Sequence, residues 1–442
     1  MRLLSVTVSG FKNLAETTVF PDGLVAVVAP NNYGKSNLIE AVDFGVTFIG
    51  ESRGRRRRMM GNPGCLPLTP DLALADYSFA VEIEAPELEE HYRFIKYGFS
   101  FAWAKDDGSG LRVTNETLEA KQSLSGRWTT YLKRDEGKYR SSYETRSFRK
   151  MALDDDQLAI DVLASIDDAA IGDVVRLING LSVGVCATSN PVEMGKFESK
   201  PLEFGRSALA ADGPHFDDED LPRALYELRD YAPERYDTLM EALYTIWPEF
   251  EDIQVERYEL GRERHEMLEG ALTSVKADDT RVPYTIRDDL YRLSIKSAYL
   301  NQPVDILRMS AGTARAIWLL SNIVVGSCIY DASLLAVEEI ETSVHPRMIG
   351  DLLEAIDENR GDTSVLFTSH APSTIQYIKL SNIYIGVPND RGVAQFKRID
   401  VSKETTILKA ARNNGLSVGE YLFELMANSA RQADVLRSFL ED

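Results

Sequence analysis

The chain is predicted to fold as an α/β protein: a mostly parallel core sheet, an antiparallel β subdomain and an inserted helical subdomain. Three observations carry this. "LVAVVAP" (Leu24–Pro30), "SLLAVEEIE" (Ser333–Glu341) and "TSVLFTSH" (Thr363–His370) are short, continuous apolar runs, as in strands buried on both faces of a parallel sheet. From Tyr77 to Tyr143 the pattern changes to apolar/polar alternation rich in aromatics, as in an antiparallel sheet. From Asp154 to about Glu251 helical patterns dominate, notably "LPRALYELRDY" and "RYDTLMEALYTIWPEF".

In chain order, "RLLSVTVSGF" and "TTVF" read as strands before "LVAVVAP". Beyond the next loop, Leu38, Val42, Val46 and Ile49 share one face, so Ser36–Ile49 is expected to be a helix packed on the sheet. The alternating segments are "YSFAVEIEA", "YRFIKYGFSFAWA", "GLRVTNETL", "RWTTYLKR" and "KYRSSYE", with turn signals at Asp107-Gly108 and Glu136-Gly137. "MGKFESKPLEFGRSALAADGPHF" reads as a loop or linker. Strand-like sequence returns in "FEDIQVERYEL" and "YRLSIKSAYL". The final third alternates helix and strand: "GTARAIWLLSNIVVGS", "SLLAVEEIE", "HPRMIGDLLEAIDENR" (Ile349, Leu352, Leu353 and Ile356 on one face), "TSVLFTSH" and "SNIYIGVP". The expected division is 1–150 (N-terminal lobe), 151–250 (helical insert) and 251–442 (C-terminal lobe).

Of the 442 residues, 44% are hydrophobic and 27% charged, an ordinary globular composition. No run approaches the roughly 18 apolar residues of a membrane span, and the start lacks a cleavage site, so neither a membrane partner nor a signal peptide is expected. Three widely spaced cysteines argue against a disulfide framework or a C-x-x-C metal site and fit a cytoplasmic protein. The net charge of −20 disfavours indiscriminate nucleic-acid binding, yet "RGRRRR" packs five arginines into Arg53–Arg58.

Four pieces carry chemistry. "APNNYGKSN" (Ala29–Asn37) places Gly34, Lys35 and Ser36 as in the phosphate-binding pattern G-x-x-x-x-G-K-S/T, with Ala29 where the first glycine belongs. Such a loop wraps phosphates in backbone N–H groups at a helix N-terminus, with the lysine between phosphates and the hydroxyl on Mg2+. The alternative is a helix that merely begins Gly-Lys-Ser. "LLAVEEIETSVHP" ends a buried strand on Glu338, Glu339 and Glu341, which repel one another unless solvated or gathered round a cation. "SHAP" puts His370 at a strand's C-terminal end, where α/β proteins bind ligands. "RMSAGTAR" (Arg308–Arg315) sets small residues before a helix, either an anion site or an ordinary cap by Ser310 or Thr313.

The order of these pieces, with about 270 residues between the first and the other three, resembles the ABC-type ATPase head of the RecF, SMC and OLD families of P-loop proteins. "APNNYGKSN" resembles their G-P-N-G-S-G-K-S-N, "GFKNL" their F-K/R-x-F/L strand end, and "MSAGTAR" their signature L-S-x-G-x. "AVEEIETSVHP" is similar to the OLD-like Walker B form I-E-E-P-E-x-x-L-H-P, with Ile340 for proline, and "FTSHAP" to T-H-S-P. The stretch "DGPHFDDEDLPRALYELRD" followed by "IWPEFEDIQV" is similar to D-G-x-x-L…P-x-I/F-x-x-I/V.

The resemblance implies ATP and Mg2+ as cofactors and roles residue by residue. Asn31, Asn32, Tyr33, Gly34, Lys35 and Ser36 would cradle the phosphates, with Asn37 closing the motif and Lys12 near the nucleotide. Ser36 and Glu338 would hold the metal, Glu339 would act as general base and His370 would contact the γ-phosphate. Ser310, Gly312 and Thr313 would reach the nucleotide of a second subunit, implying a homodimer or higher homo-oligomer. Gln157 is the candidate for the Q-loop glutamine, the alternative being an ordinary surface glutamine.

No heptads mark coiled-coil arms, and the 72 residues after His370 hold no D-x-D pair, so no built-in nuclease is expected. The resemblance then narrows to stand-alone ATPase subunits of phage-defence modules of the Septu and PARIS type, which work beside a separate, nuclease-like effector. The competing readings are a RecF-like repair ATPase, with Arg53, Arg55, Arg56, Arg57 and Arg58 contacting DNA or a partner, and a nucleotide switch that does not hydrolyse.

Overall fold

The computed structural model describes residues 1–88, 92–105, 107–135, 138–141, 149–150, 153–163, 169–186, 197–199, 202–204, 220–264, 266–268, 284–286, 288–328, 332–387, 391–427 and 431–441. These fall into two compact units. One comprises Met1–Ala187, Ala332–Ile340 and Asp362–Asp442; the other comprises Thr188–Asp331 and Glu341–Gly361.

The first unit holds a six-stranded sheet in the order Val183–Cys186, Leu334–Val337, Ser364–Ser369, Leu24–Val28, Ile383–Gly386, Phe396–Arg398. The first five strands run parallel and the last is antiparallel, so the α/β class read from the sequence is the observed one. Leu334–Val337, Ser364–Ser369 and Ile383–Gly386 are buried throughout, which is why they read as unbroken apolar runs rather than alternations. Val183–Cys186 is a difference from expectation: the stretch read as mainly helical contributes this edge strand. Four residues carry too little periodicity to reveal a strand whose stability comes from its neighbour.

The second sheet of this unit is antiparallel and has eight strands, in the order Thr17–Val19, Arg2–Ser9, Tyr77–Glu84, Phe94–Ala102, Arg112–Lys121, Thr129–Asp135, Lys138–Ser141, Arg149–Lys150. Along Tyr77–Glu84 every second side chain is buried, and Tyr77, Phe79 and Val81 face Phe101, Phe99 and Tyr97 of the next strand. The helix Lys35–Gly50 packs on this aromatic face. Phe48 stacks on Phe99 and Phe101, with centroids 4.9 and 5.0 Å apart, and the Tyr77 hydroxyl donates to Ala41 O at 2.7 Å. Asp107-Gly108 forms the expected turn, the Asp107 carboxylate accepting from the Ser109 N–H at 2.8 Å. Glu136-Gly137 lies outside the described residues. So does most of the expected linker 194–216, of which Leu202–Phe204 forms a strand paired with Tyr284–Ile286 in the second unit.

The second unit also packs the helices Leu221–Tyr231, Pro233–Ile246, Ala311–Cys328 and Ile349–Asn359 with an antiparallel sheet of Phe250–Glu259, Asp289–Ser297 and Val304–Asp305. The Asp220 carboxylate caps the first helix through the Arg223 N–H. The helix from Ala311 is buried from Ala314 to Ser321 on all sides, as an apolar-all-round sequence requires. No helix among the described residues is long and apolar enough to cross a membrane.

Glu116 is a carboxylate inside the first unit, fully buried on Arg112–Lys121. It accepts from the Ala159 and Ile160 N–H groups (2.6 and 2.9 Å) and from the Tyr97 hydroxyl (3.1 Å), tying 159–163 to the sheet. Burial pushes its pKa up, outweighing the two backbone donors. Glu116→Ala leaves two N–H groups unpaired and is expected to cost about 2–4 kcal/mol, read as a lowered thermal or urea midpoint. A raised pKa means that the unfolded chain loses its proton first as pH rises. Wild type should therefore lose stability relative to the non-titrating Glu116→Gln variant as pH rises above the ordinary carboxylate range.

Candidate functional site

Leu24–Val28 ends at buried Ala29, and the chain turns into the helix Lys35–Gly50 through Asn32 (φ +58°) and Gly34 (φ +121°). Ala29 is outside the positive-φ region, so alanine at the first motif position introduces no backbone strain. The second glycine is different. A Cβ at Gly34 would lie 2.8 Å from Asn13 Oδ1 and 3.0 Å from the Ala394 methyl, on a backbone that L side chains rarely adopt. No side chain caps this helix start, which leaves its first-turn amides to face an anion.

Lys35 is buried, with its ammonium 3.0 Å from Ala29 O, 3.3 Å from Pro30 O and 3.4 Å from His370 Nδ1. An ammonium only donates, so Nδ1 is the acceptor in this contact. The other ring nitrogen, Nε2, lies 3.7 Å from Glu339 Oε1. Lysine, histidine and glutamate thus form a chain across one cavity of about 630 Å³, lined by Asn31, Asn32, Gly34, Lys35, Ser36, Asn37, Glu339, Thr368 and His370. Sheet topology explains the convergence. Leu24–Val28, Leu334–Val337 and Ser364–Ser369 are parallel neighbours, so their C-terminal ends share one edge, the edge where such sheets bind ligands.

Two residues of this site were not singled out in the sequence. The Asn13 amide donates to Tyr33 O at 3.0 Å while its Oδ1 accepts from Asn37 Nδ2 at 2.7 Å, so one side chain braces both ends of the loop. Its neighbours are 20 and 24 residues away, and no local pattern signals them. Thr368 is the other, an unremarked letter inside "FTSH". The Tyr33 hydroxyl points away from the cavity to Val387 O at 2.6 Å, anchoring the loop to the sheet.

The remaining expected residues stand outside the cavity wall. Glu338 is half-buried beside it, its N–H donating to Cys186 O at 3.1 Å. Lys12 (φ +51°) pairs with Glu40 on the exposed side of the helix. Ser310, Gly312 and Thr313 belong to the second unit. Ser310 Oγ caps its helix through the Thr313 N–H at 3.1 Å, and a Cβ on Gly312 would sit 2.3 Å from Ser343 O. Gln157 is held by its backbone, its carbonyl accepting from Arg134.

Arg53–Met60 is a helix, and a patch of five solvent-facing arginines is not what forms, because four face solvent and Arg56 does not. Arg56 is buried, donating to Phe48 O (2.8 Å), Ile49 O (2.6 Å) and Asp161, because its long side chain reaches back under the preceding helix. Being interior, Arg56 does not reach DNA or a partner, unlike the sequence expectation. Arg53 pairs with Asp154 and Asp156, and Arg55 with Glu51. Arg57 and Arg58 remain exposed.

Residues 232–376 match the family model described as "AAA domain, putative AbiEii toxin, Type IV TA system". Over 60 residues, 13% of the chain, the sequence is 48% identical to the chromosome partition protein Smc of Delftia acidovorans and 47% identical to that of Burkholderia pseudomallei. Each match spans 5% of the relative's length. Solved structures that superpose include an Smc head bound to the C-terminal winged-helix domain of ScpA (12% identity, 92% of this chain and all of the other, TM-score 0.48). A second is an Smc head with an extended coiled coil bound to the C-terminal domain of ScpA from Pyrococcus furiosus (13%, 93% and 99%, TM-score 0.49). At those scores the superpositions decide nothing about function.

Gly34→Ala is expected to lower the stability of the chain by at least about 1–2 kcal/mol, since left-handed backbone costs a non-glycine residue that much before the contact with Asn13 is counted. Thermal or urea denaturation of the two proteins checks this.

Proposed function

We propose that this chain is a magnesium-dependent ATPase of ABC type. The observation that carries the reading is the meeting of Lys35, Ser36, Glu339 and His370 around one cavity at the C-terminal edge of a parallel sheet, from three strands far apart in sequence. The match of residues 232–376 to an AAA domain model supports it independently.

The loop amides and the Lys35 ammonium would hold the β- and γ-phosphates, the ammonium exchanging carbonyl oxygens for phosphate oxygens. Ser36 and Glu338 would hold magnesium. Their hard oxygen donors, one hydroxyl and one carboxylate, suit a cation that takes its other ligands from water and phosphates. Bound there, it would neutralise charge developing on the phosphates. Glu339 would orient a water and accept its proton as the water oxygen bonds the γ-phosphorus. The bond from that phosphorus to the bridging oxygen breaks, and ADP leaves with the electron pair. His370 would contact the γ-phosphate and report its presence.

The cap residues Ser310, Gly312 and Thr313 would complete the site of a second copy, so ATP would clamp two chains and hydrolysis release them. The motif resemblance extends this to a sensor subunit that acts beside a separate, nuclease-like effector in phage defence. A DNA-binding repair role has less support from the arginine helix than from its sequence, since Arg56 is interior and Arg53 and Arg55 are paired with carboxylates.

ATP turnover and solution mass of wild type and Glu339→Gln test the reading. The expected result is a loss of hydrolysis of at least about 100-fold in the variant, with an ATP-stabilised oligomer. Unchanged turnover would remove Glu339 from the role of base. Lys35→Ala is expected to abolish nucleotide binding, measured by titration with a fluorescent ATP analogue.

A further inference from the structure

Glu339 stands in left-handed backbone, φ +46°, at the strand end that carries the proposed base. Only a few per cent of non-glycine residues adopt this region, and where one does the surroundings must hold it. What holds it is visible. The ladder between Leu334–Val337 and Ser364–Ser369 ends at the pair Val337–Phe367. In a continuing ladder the next N–H groups would seek backbone carbonyls. Glu338 turns its N–H to Cys186 O on the opposite neighbour (3.1 Å), and Glu339 donates its N–H to the side-chain Oγ1 of Thr368 (2.9 Å). Ile340 then donates to Thr368 O (3.2 Å). One residue therefore accepts two successive N–H groups, the first through its side chain and the second through its backbone.

We infer that Thr368 is a positioning residue for the reaction. Its hydroxyl fixes the left-handed turn at Glu339 and so aims that carboxylate at His370 and the phosphate end of the cavity. The inference rests on the ATPase reading of this site.

Thr368 is 1% exposed, its backbone pairs with Val27 of the strand that launches the phosphate loop, and it stands two residues before His370. The acceptor is therefore rigid and shares a strand with one functional residue while pairing with the strand of another. Glu339 itself is half exposed, with its side-chain contact to His370 at 3.7 Å. Its direction is set by its backbone more than by burial of the carboxylate. Loss of the hydroxyl frees the N–H to find water or relaxes φ, and either turns the carboxylate away by a fraction of an ångström or more. Errors of that size are enough to cost one to two orders of magnitude in rate.

The test uses the full chain with Thr368→Val, which swaps hydroxyl for methyl, and Thr368→Ser, which keeps the acceptor. Thr368→Val is expected to bind Mg·ATP within about threefold of wild type and to lose about 30–100-fold in kcat, with Thr368→Ser recovering to within about threefold. A loss of packing alone would affect serine as much as valine. A second readout needs no turnover. Amide exchange at Glu339, followed by NMR, should speed at least tenfold in Thr368→Val and stay slow in Thr368→Ser, with the Ile340 amide unchanged in both. Wild-type kcat in Thr368→Val, equal damage in Thr368→Ser, or unaltered exchange at Glu339 would each overturn the inference. If Thr368→Val does not fold, Thr368→Ala is compared with Thr368→Ser by the same two measurements. If wild type shows no turnover, or Glu339→Gln turns over normally, the ATPase reading fails first and the catalytic role with it. The exchange data then still decide what holds the turn.

Discussion

The candidate site depends on Leu24–Val28 lying between Ser364–Ser369 and Ile383–Gly386. The strand is fixed by parallel pairing on both sides to segments more than three hundred residues away in sequence. Closing a loop of that size costs only a few kcal/mol more than closing a short one, because the entropy grows with the logarithm of length. Burying an all-apolar strand between two others outweighs that cost, at roughly 25 cal/mol per Å² of apolar surface removed from water. Parallel registry then does the rest. It puts Ala29, Glu338 and His370 at the same edge, so that a lysine, a glutamate and a histidine with no local relation meet across one cavity.

The aromatic layer stabilises the same arrangement from the other side. The helix that starts at Lys35 has its second half seated on Phe99, Phe101 and Tyr77 of the antiparallel sheet, and Tyr77 is bonded to its backbone. A helix held at its far end presents its N-terminus at a fixed place. Asn13 and the Tyr33 hydroxyl then pin the loop in front of it. Preorganisation of this kind spares a ligand the cost of ordering the loop, which is where much binding energy is otherwise lost.

The arginine run shows how charge in a sequence differs from charge on a surface. Five arginines in six residues invite a reading as a phosphate-binding patch. Once the run coils into a helix, its residues point in different directions. Arg56 faces inward, where two carbonyls at the end of the preceding helix and Asp161 satisfy it, while Arg53 and Arg55 find carboxylates and Arg57 and Arg58 stay exposed. An arginine can be structural when the chain brings it backbone carbonyls, and nothing in "RGRRRR" distinguishes that one from the rest.

Signals with a local physical cause were legible from sequence. Unbroken apolar runs gave the parallel strands, alternation gave the antiparallel sheet, and Gly-Lys-Ser after a strand gave the helix start with its exposed amides. Even the odd alanine was readable as a question about one φ angle. Tertiary structure alone decided what depends on partners distant in the chain: the edge strand Val183–Cys186, the brace from Asn13, the burial of Arg56, and the left-handed turn at Glu339 held by Thr368. Those features are made by pairing across the fold. A sequence records each residue's own preferences in full, but it does not record which neighbour will supply a hydrogen bond.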